Sequence, residues 1–141
     1  MKLISYQHDN AVRYGVLLDN GVADMRHCMN DAPVSINDFV AVLTDKASSQ
    51  AGLMASISSR AASAAVLPLA SVQLLPCIPR PSKIICLGVN YHDHAAEGGN
   101  TVADYPTIFF RGPSSLAAHG DAIPIPPIST ALVAPMMAPF C

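Results

Sequence analysis

Apolar and polar positions alternate along the first 25 residues in short runs separated by polar turns. KLISYQ gives way to His8-Asp9-Asn10, VRYGVLL gives way to Asp19-Asn20-Gly21, and GVADM follows. Runs of this length, bounded by residues that tolerate positive φ, predict a small antiparallel sheet with Asp-Asn-Gly as a hairpin turn. The period then changes. In INDFVAVLTD, residues 36–45, Ile36, Phe39, Val40 and Leu43 fall on one helical face, with Ser35 placed as N-cap. The stretch 47–66 is rich in Ala, Ser and Met, sets Leu53, Met54 and Ile57 on one side, and predicts a second helix.

From Pro68 to Pro81 prolines interrupt the apolar sequence, which suits an extended strand or linker and places a domain boundary near residue 77. KIICLGV then reads as a buried strand, ended by Gly88 and Asn90. A polar helical turn is expected in YHDHAAEGG, stopped by Gly98-Gly99, and TIFFR is a further strand ended by Gly112-Pro113. No internal repeat or heptad pattern occurs.

Composition narrows the function classes. With 51% hydrophobic and 13% charged residues, the chain has the means to bury a core. The net charge of -2 is dispersed, with no run of Lys or Arg, so nucleic acid is not an expected partner. Uncharged stretches between Arg60 and Arg80 and from Ala122 to Cys141 have the length of membrane spans, but their prolines exclude a spanning helix. Each interior proline costs about 3 kcal/mol, and lipid offers no water in place of the lost hydrogen bond. The N-terminus turns polar at Tyr6-Gln7-His8, before any signal-peptide core. Cys28, Cys77, Cys86 and Cys141 show no metal-ligand spacing, which fits a reducing, cytoplasmic setting, with Cys86 as a small buried hydrophobe.

The candidate chemistry lies between Lys83 and Asp121. A strand ends in Gly88, Asn90 and Tyr91, and His94 and Glu97 follow three residues apart. On a helix that spacing puts both side chains on one face, where a carboxylate orients an imidazole and the pair can activate water. An ordinary solvated helix surface has the same spacing. His92 and His94 would face one way on a strand, as zinc ligands do, but point apart on a helix, so His92 reads as a surface residue.

The order KIICLGVNYHDHAAEGG, then YPTIFFRGPSSLAAHGDAI, closely resembles the start of the catalytic domain of the fumarylacetoacetate hydrolase family. The residues before it are similar to the small variable N-terminal domain of bacterial members. The resemblance implies an α+β fold. Residues 1–77 would be a small N-terminal domain of short antiparallel strands and two helices, and 78–141 the first strands of an incomplete mixed β-roll. It implies a metal-dependent hydrolase, lyase or isomerase ancestry, with a keto acid or dicarbonyl as small-molecule substrate and a homodimer in the intact family. His94 and Glu97 would be the acid/base pair. Arg111 stands where the family often carries a substrate-facing cation, whose fixed charge would stabilise an enolate or carboxylate oxygen; a rim arginine is the alternative. His119-Gly120-Asp121 resembles a family turn in which the Asp serves backbone geometry.

The intact family holds Mg, Mn or Ca through a Glu-x-Glu pair and a later Asp. Here Glu97 is the only glutamate and no acid follows Asp121. No cofactor is therefore expected for these residues, and little or no native activity. The uncharged proline-rich tail departs from the family pattern as a frame-shifted end would. Open sheet edges and an uncovered apolar face predict self-association. A second reading is a non-catalytic interaction module that pairs with another subunit. A third, a zinc hydrolase using His92, His94 and His119, has no feature that fixes the three together.

Overall fold

Alternating β-branched and aromatic residues open the chain as three strands, β1 (Lys2–His8), β2 (Ala11–Leu18) and β3 (Gly21–Asp24), paired antiparallel in sequence order. The computed structural model describes residues 1–45, 47–88, 105, 107–124 and 127. One compact unit contains Met1–Pro79 and a second Arg80–Leu116. The β1–β2 register runs from Lys2 opposite Leu17 to His8 opposite Ala11, leaving Asp9-Asn10 as the loop. Both loop residues take positive φ, 49° and 59°, as a tight two-residue hairpin requires. At the second hairpin the sequence expectation is corrected: Gly21, at φ 146°, takes the positive angle and Asn20 does not. A Cβ on Gly21 would also run into the Leu67 carbonyl oxygen, so close approach of a neighbouring strand demands glycine there too.

β3 ends at Asp24, one residue short of the GVADM run, because the Asp24 carboxylate accepts the Arg26 N–H at 2.9 Å and caps a single turn, α1 (Met25–Cys28). In α2 (Ile36–Asp45) the cap is as expected. Ser35 Oγ accepts the Asp38 N–H at 3.2 Å and donates to Asp38 Oδ2 at 2.7 Å. Ile36 and Phe39 are buried, but Val40, assigned to the same face, is 44% exposed. One position beyond Phe39, it is rotated about 100° from it, off the core-facing stripe. α3 (Gln50–Ser63) buries Ile57 and Ala61, with Leu53 and Met54 against the same cluster. It stops short of residue 66 because Pro68 disfavours helical backbone just before it. Val66–Leu67 instead form β4, paired with β3.

The proline-rich segment is part strand, not linker alone. Past a 3₁₀ turn at Leu69–Ser71, β5 (Gln73–Leu74) pairs with β1, giving the sheet order β4-β3-β2-β1-β5. Residues 66–74 thus supply both edges. Ile4, Tyr6 and Val22 pack on one face with Leu17, Leu67, Val72 and Leu74. Tyr14, Val16, Ala23 and Met25 pack on the other with Ile36, Phe39, Ile57 and Ala61. With both faces covered, Ile4, Ser5 and Tyr6 are all buried. The Tyr14 and Phe39 rings lie 5.8 Å apart at 42°, a favourable tilted contact.

The second unit is a ribbon of β6 (Ile84–Gly88) and β7 (Thr107–Arg111), antiparallel, with Ile84 opposite Arg111 and Gly88 opposite Thr107. Directly opposed residues share a face, so Ile85, Leu87, Ile108 and Phe110 line one side. They are 59%, 52%, 58% and 71% exposed. The KIICLGV strand is present, but its expected burial is corrected. Among the described residues β6 pairs with β7 alone and no second layer covers this face. The helical turn expected at 91–99 lies outside the described residues. The described architecture is mixed α+β, and no helix among these residues is long and apolar enough to cross a membrane.

Candidate functional site

β7 ends at Arg111 because Gly112 and Pro113 follow, and Pro113 has no N–H to continue a ladder; a 3₁₀ turn takes over at Pro113–Ser115. The register puts Arg111 at the end of the ribbon, on the face it shares with Ile84, Cys86 and Phe109 and opposite the exposed apolar side. Arg111 is exposed and makes no ion pair among the described residues. A guanidinium left uncommitted in this way can fork onto a carboxylate or enolate oxygen. Its expected partners His94 and Glu97 lie outside the described residues, as do Asn90, Tyr91 and His92. Gly88 is the last residue of β6.

Asp121 serves a turn. Its Oδ2 accepts the Ala118 N–H at 2.8 Å and its own N–H returns to the Ala118 carbonyl at 3.2 Å, around Gly120 at φ 86°. Cys86 is a free, partly buried thiol, less enclosed than the sequence suggested.

A constellation that sequence reasoning missed lies in the first unit. Asp24 is 4% exposed and receives the Tyr6 hydroxyl at 2.8 Å, Arg26 Nε at 2.9 Å and Arg26 Nη2 at 2.8 Å, besides the Arg26 N–H. Arg13 Nη1 stands 3.7 Å from Asp24 Oδ2. Burial alone pushes the Asp24 carboxyl up, but the hydrogen bonds from Arg26 and Tyr6 outweigh it and hold the group down at about 2. Burial, then the bond to Asp24, drives the Tyr6 hydroxyl far above its ordinary range. Tyr14 is pushed up to about 12, first by burial and then by the charges of Asp24 and Asp38. Burial also raises the Cys28 thiol, which keeps it protonated and unreactive. The available signal was Asp-x-Arg at a strand-to-helix junction, where a capping Asp and the arginine two residues on close one ring.

Residues 83–134 match the family model described as fumarylacetoacetate (FAA) hydrolase C-terminal. That stretch contains β6, β7 and Arg111. The oxaloacetate tautomerase YisK of Bacillus subtilis is 43% identical over 58 residues, covering 39% of this chain and 19% of that protein. Over residues 83–134 this chain is similar to the fumarylacetoacetate hydrolase family. A human mitochondrial oxaloacetate tautomerase is 39% identical over 69 residues, 49% of this chain and 22% of the relative. A Burkholderia ambifaria protein, named provisionally as a hydrolase, is 34% identical over 128 residues, 89% of this chain and 41% of the relative. The chain thus spans about two fifths of the length of the first curated relatives it matches.

The described residues alone do not fit the metal that this family generally uses. Among the described residues no three His, Cys, Asp or Glu side chains come together to hold an ion. Asp24, the buried carboxylate, is spent on two arginines and a tyrosine. The whole sequence has one glutamate and nine aspartates, and a hard divalent cation draws most of its affinity from several carboxylates brought together.

Proposed function

We propose that these residues are the small N-terminal domain, 1–77, and the opening strands, from residue 78, of a fumarylacetoacetate hydrolase family enzyme acting on a dicarbonyl or 2-oxo acid. Carbon–carbon cleavage, decarboxylation and isomerisation all belong to this class. The observation that carries the reading is the β6–β7 ribbon, which lies within the family match and ends in an exposed Arg111 with no ion pair among the described residues. Arg111 would hold a substrate carboxylate or enolate oxygen, and the pair His94 and Glu97 would move the proton. The oxaloacetate tautomerase names of two relatives favour a short 2-oxo diacid. Metal, as Mg, Mn or Ca, supplies the family with a Lewis acid that polarises such a substrate. Its carboxylates must come from outside these 141 residues, so the polypeptide alone is inactive. Its compartment is proposed as cytoplasmic, from the cysteine usage.

A second reading, an interaction module that completes its sheet with another subunit, is favoured by the four exposed apolar side chains of the ribbon. A homodimer is the family-like form of such association.

One experiment tests the first reading. The 141 residues alone and a chimera joining them to the matching remainder of the Bacillus subtilis relative are assayed for oxaloacetate tautomerisation with Mn. The expected result is an inactive fragment and an active chimera that loses at least about 100-fold in kcat/KM, on the order of 3 kcal/mol, on His94→Ala or Glu97→Gln. Turnover by the fragment alone would overturn its inactivity, and a chimera indifferent to both substitutions would overturn the assignment of the pair.

A further inference from the structure

At one edge of the first unit, Arg13, Asp24, Arg26 and His27 meet Ala65, Val66 and Leu67 around a cleft of about 110 Å³. Its charges do not balance. Two guanidiniums face one carboxylate, and Arg26 takes both Asp24 oxygens in a bidentate pair. Arg13 keeps only an ion pair with Asp24 at 3.7 Å, longer than a hydrogen bond. Yet its side chain is only 26% exposed. One long ion pair leaves most donors of the Arg13 guanidinium open, and an oxyanion entering beside it would balance the second positive charge. His27 adds a further donor at the rim, and residues 65–67 offer an apolar wall.

We infer that this cleft binds a small oxyanion, a carboxylate or a phosphate, held by the guanidinium of Arg13 and the face of Arg26 turned away from Asp24. The site lies within the first unit, shares no residue with Arg111, and is independent of the proposed reaction. Both occupants need the same donors. A carboxylate with a short aliphatic tail would also use the wall formed by Ala65, Val66 and Leu67.

The test titrates the 141-residue chain with inorganic phosphate and, separately, with propionate at constant ionic strength, following heat and backbone amide shifts. The expected result is saturable one-to-one binding, with shifts at residues 26–27 and 65–67, weakened at least about tenfold in Arg13→Gln. Tighter propionate binding identifies a carboxylate site and tighter phosphate binding a phosphate site; either supports the inference. Non-saturating titrations with both anions, or binding unchanged in Arg13→Gln, would overturn it. If Arg13→Gln does not fold, the shift map of the unsubstituted chain decides, and perturbations elsewhere would count against the cleft.

Discussion

The two units treat apolar sequence in opposite ways. In residues 1–79 each face of a five-stranded sheet is covered, and the buried carboxylate has four donors. In residues 80–116 two strands turn Ile85, Leu87, Ile108 and Phe110 to solvent. Hydrophobicity is not what separates them. KIICLG is as apolar as KLISYQ, but the latter meets partners on both sides within 75 residues of sequence, at β2 and β5. A lone two-stranded ribbon is marginal in water, so the first unit stands by itself while the second is a surface that calls for a cover.

The largest effect that would break this contrast is in the first core. Phe39→Ala, which removes a fully buried ring packed on Tyr14, should cost about 3–5 kcal/mol in urea unfolding. A loss below about 1 kcal/mol would mean the core is looser than its burial indicates.

Next comes acid. Asp24 is held at about 2 in the folded chain, below the ordinary carboxylate value. Its contribution is therefore present above about pH 4 and is lost as pH falls toward 2, by about 2–3 kcal/mol. Asp24→Asn should flatten that part of the stability–pH curve. Tyr14 carries the opposite sign. Raised to about 12, it supports the fold below its unfolded value near 10 and loses that support as pH rises toward 12.

Ser35→Ala should cost about 1 kcal/mol through the lost α2 cap, read by urea unfolding and the helical circular dichroism signal. Smallest in stability is the ribbon. Phe110→Lys should move the first unit's unfolding by less than about 0.5 kcal/mol. The same substitution should lower self-association in sedimentation velocity. Unchanged association would mean that the exposed face is not what brings copies together.

Much of the first unit is legible in the sequence because local chemistry decides it: the Asp9-Asn10 hairpin, the Ser35 cap, and the Leu53, Met54 and Ile57 stripe all act within a few residues. β4 was not legible as a strand, and β5 only as an open choice between extended strand and linker. Two residues each, they take their form from distant partners, Val22–Ala23 and Tyr6–Gln7, and local propensity carries no trace of those. The same limit explains Asp24, whose partners Tyr6 and Arg13 sit on other strands. The ribbon inverts the lesson. Its strands were legible from composition, but burial is decided by what covers them. Of the candidate site, Arg111 and the Asp121 turn have places in the structure, whereas His94 and Glu97 rest on spacing and resemblance.

Native-state amide hydrogen exchange tests the contrast most directly, since it reads both units in one sample. Amides of β1–β3, α2 and α3 should exchange only with global unfolding of the first unit, while those of Ile84–Gly88 and Thr107–Arg111 should exchange orders of magnitude faster. Ribbon amides as slow as those of β1 and β2 would contradict this, and would show that Ile85, Leu87, Ile108 and Phe110 are covered in solution.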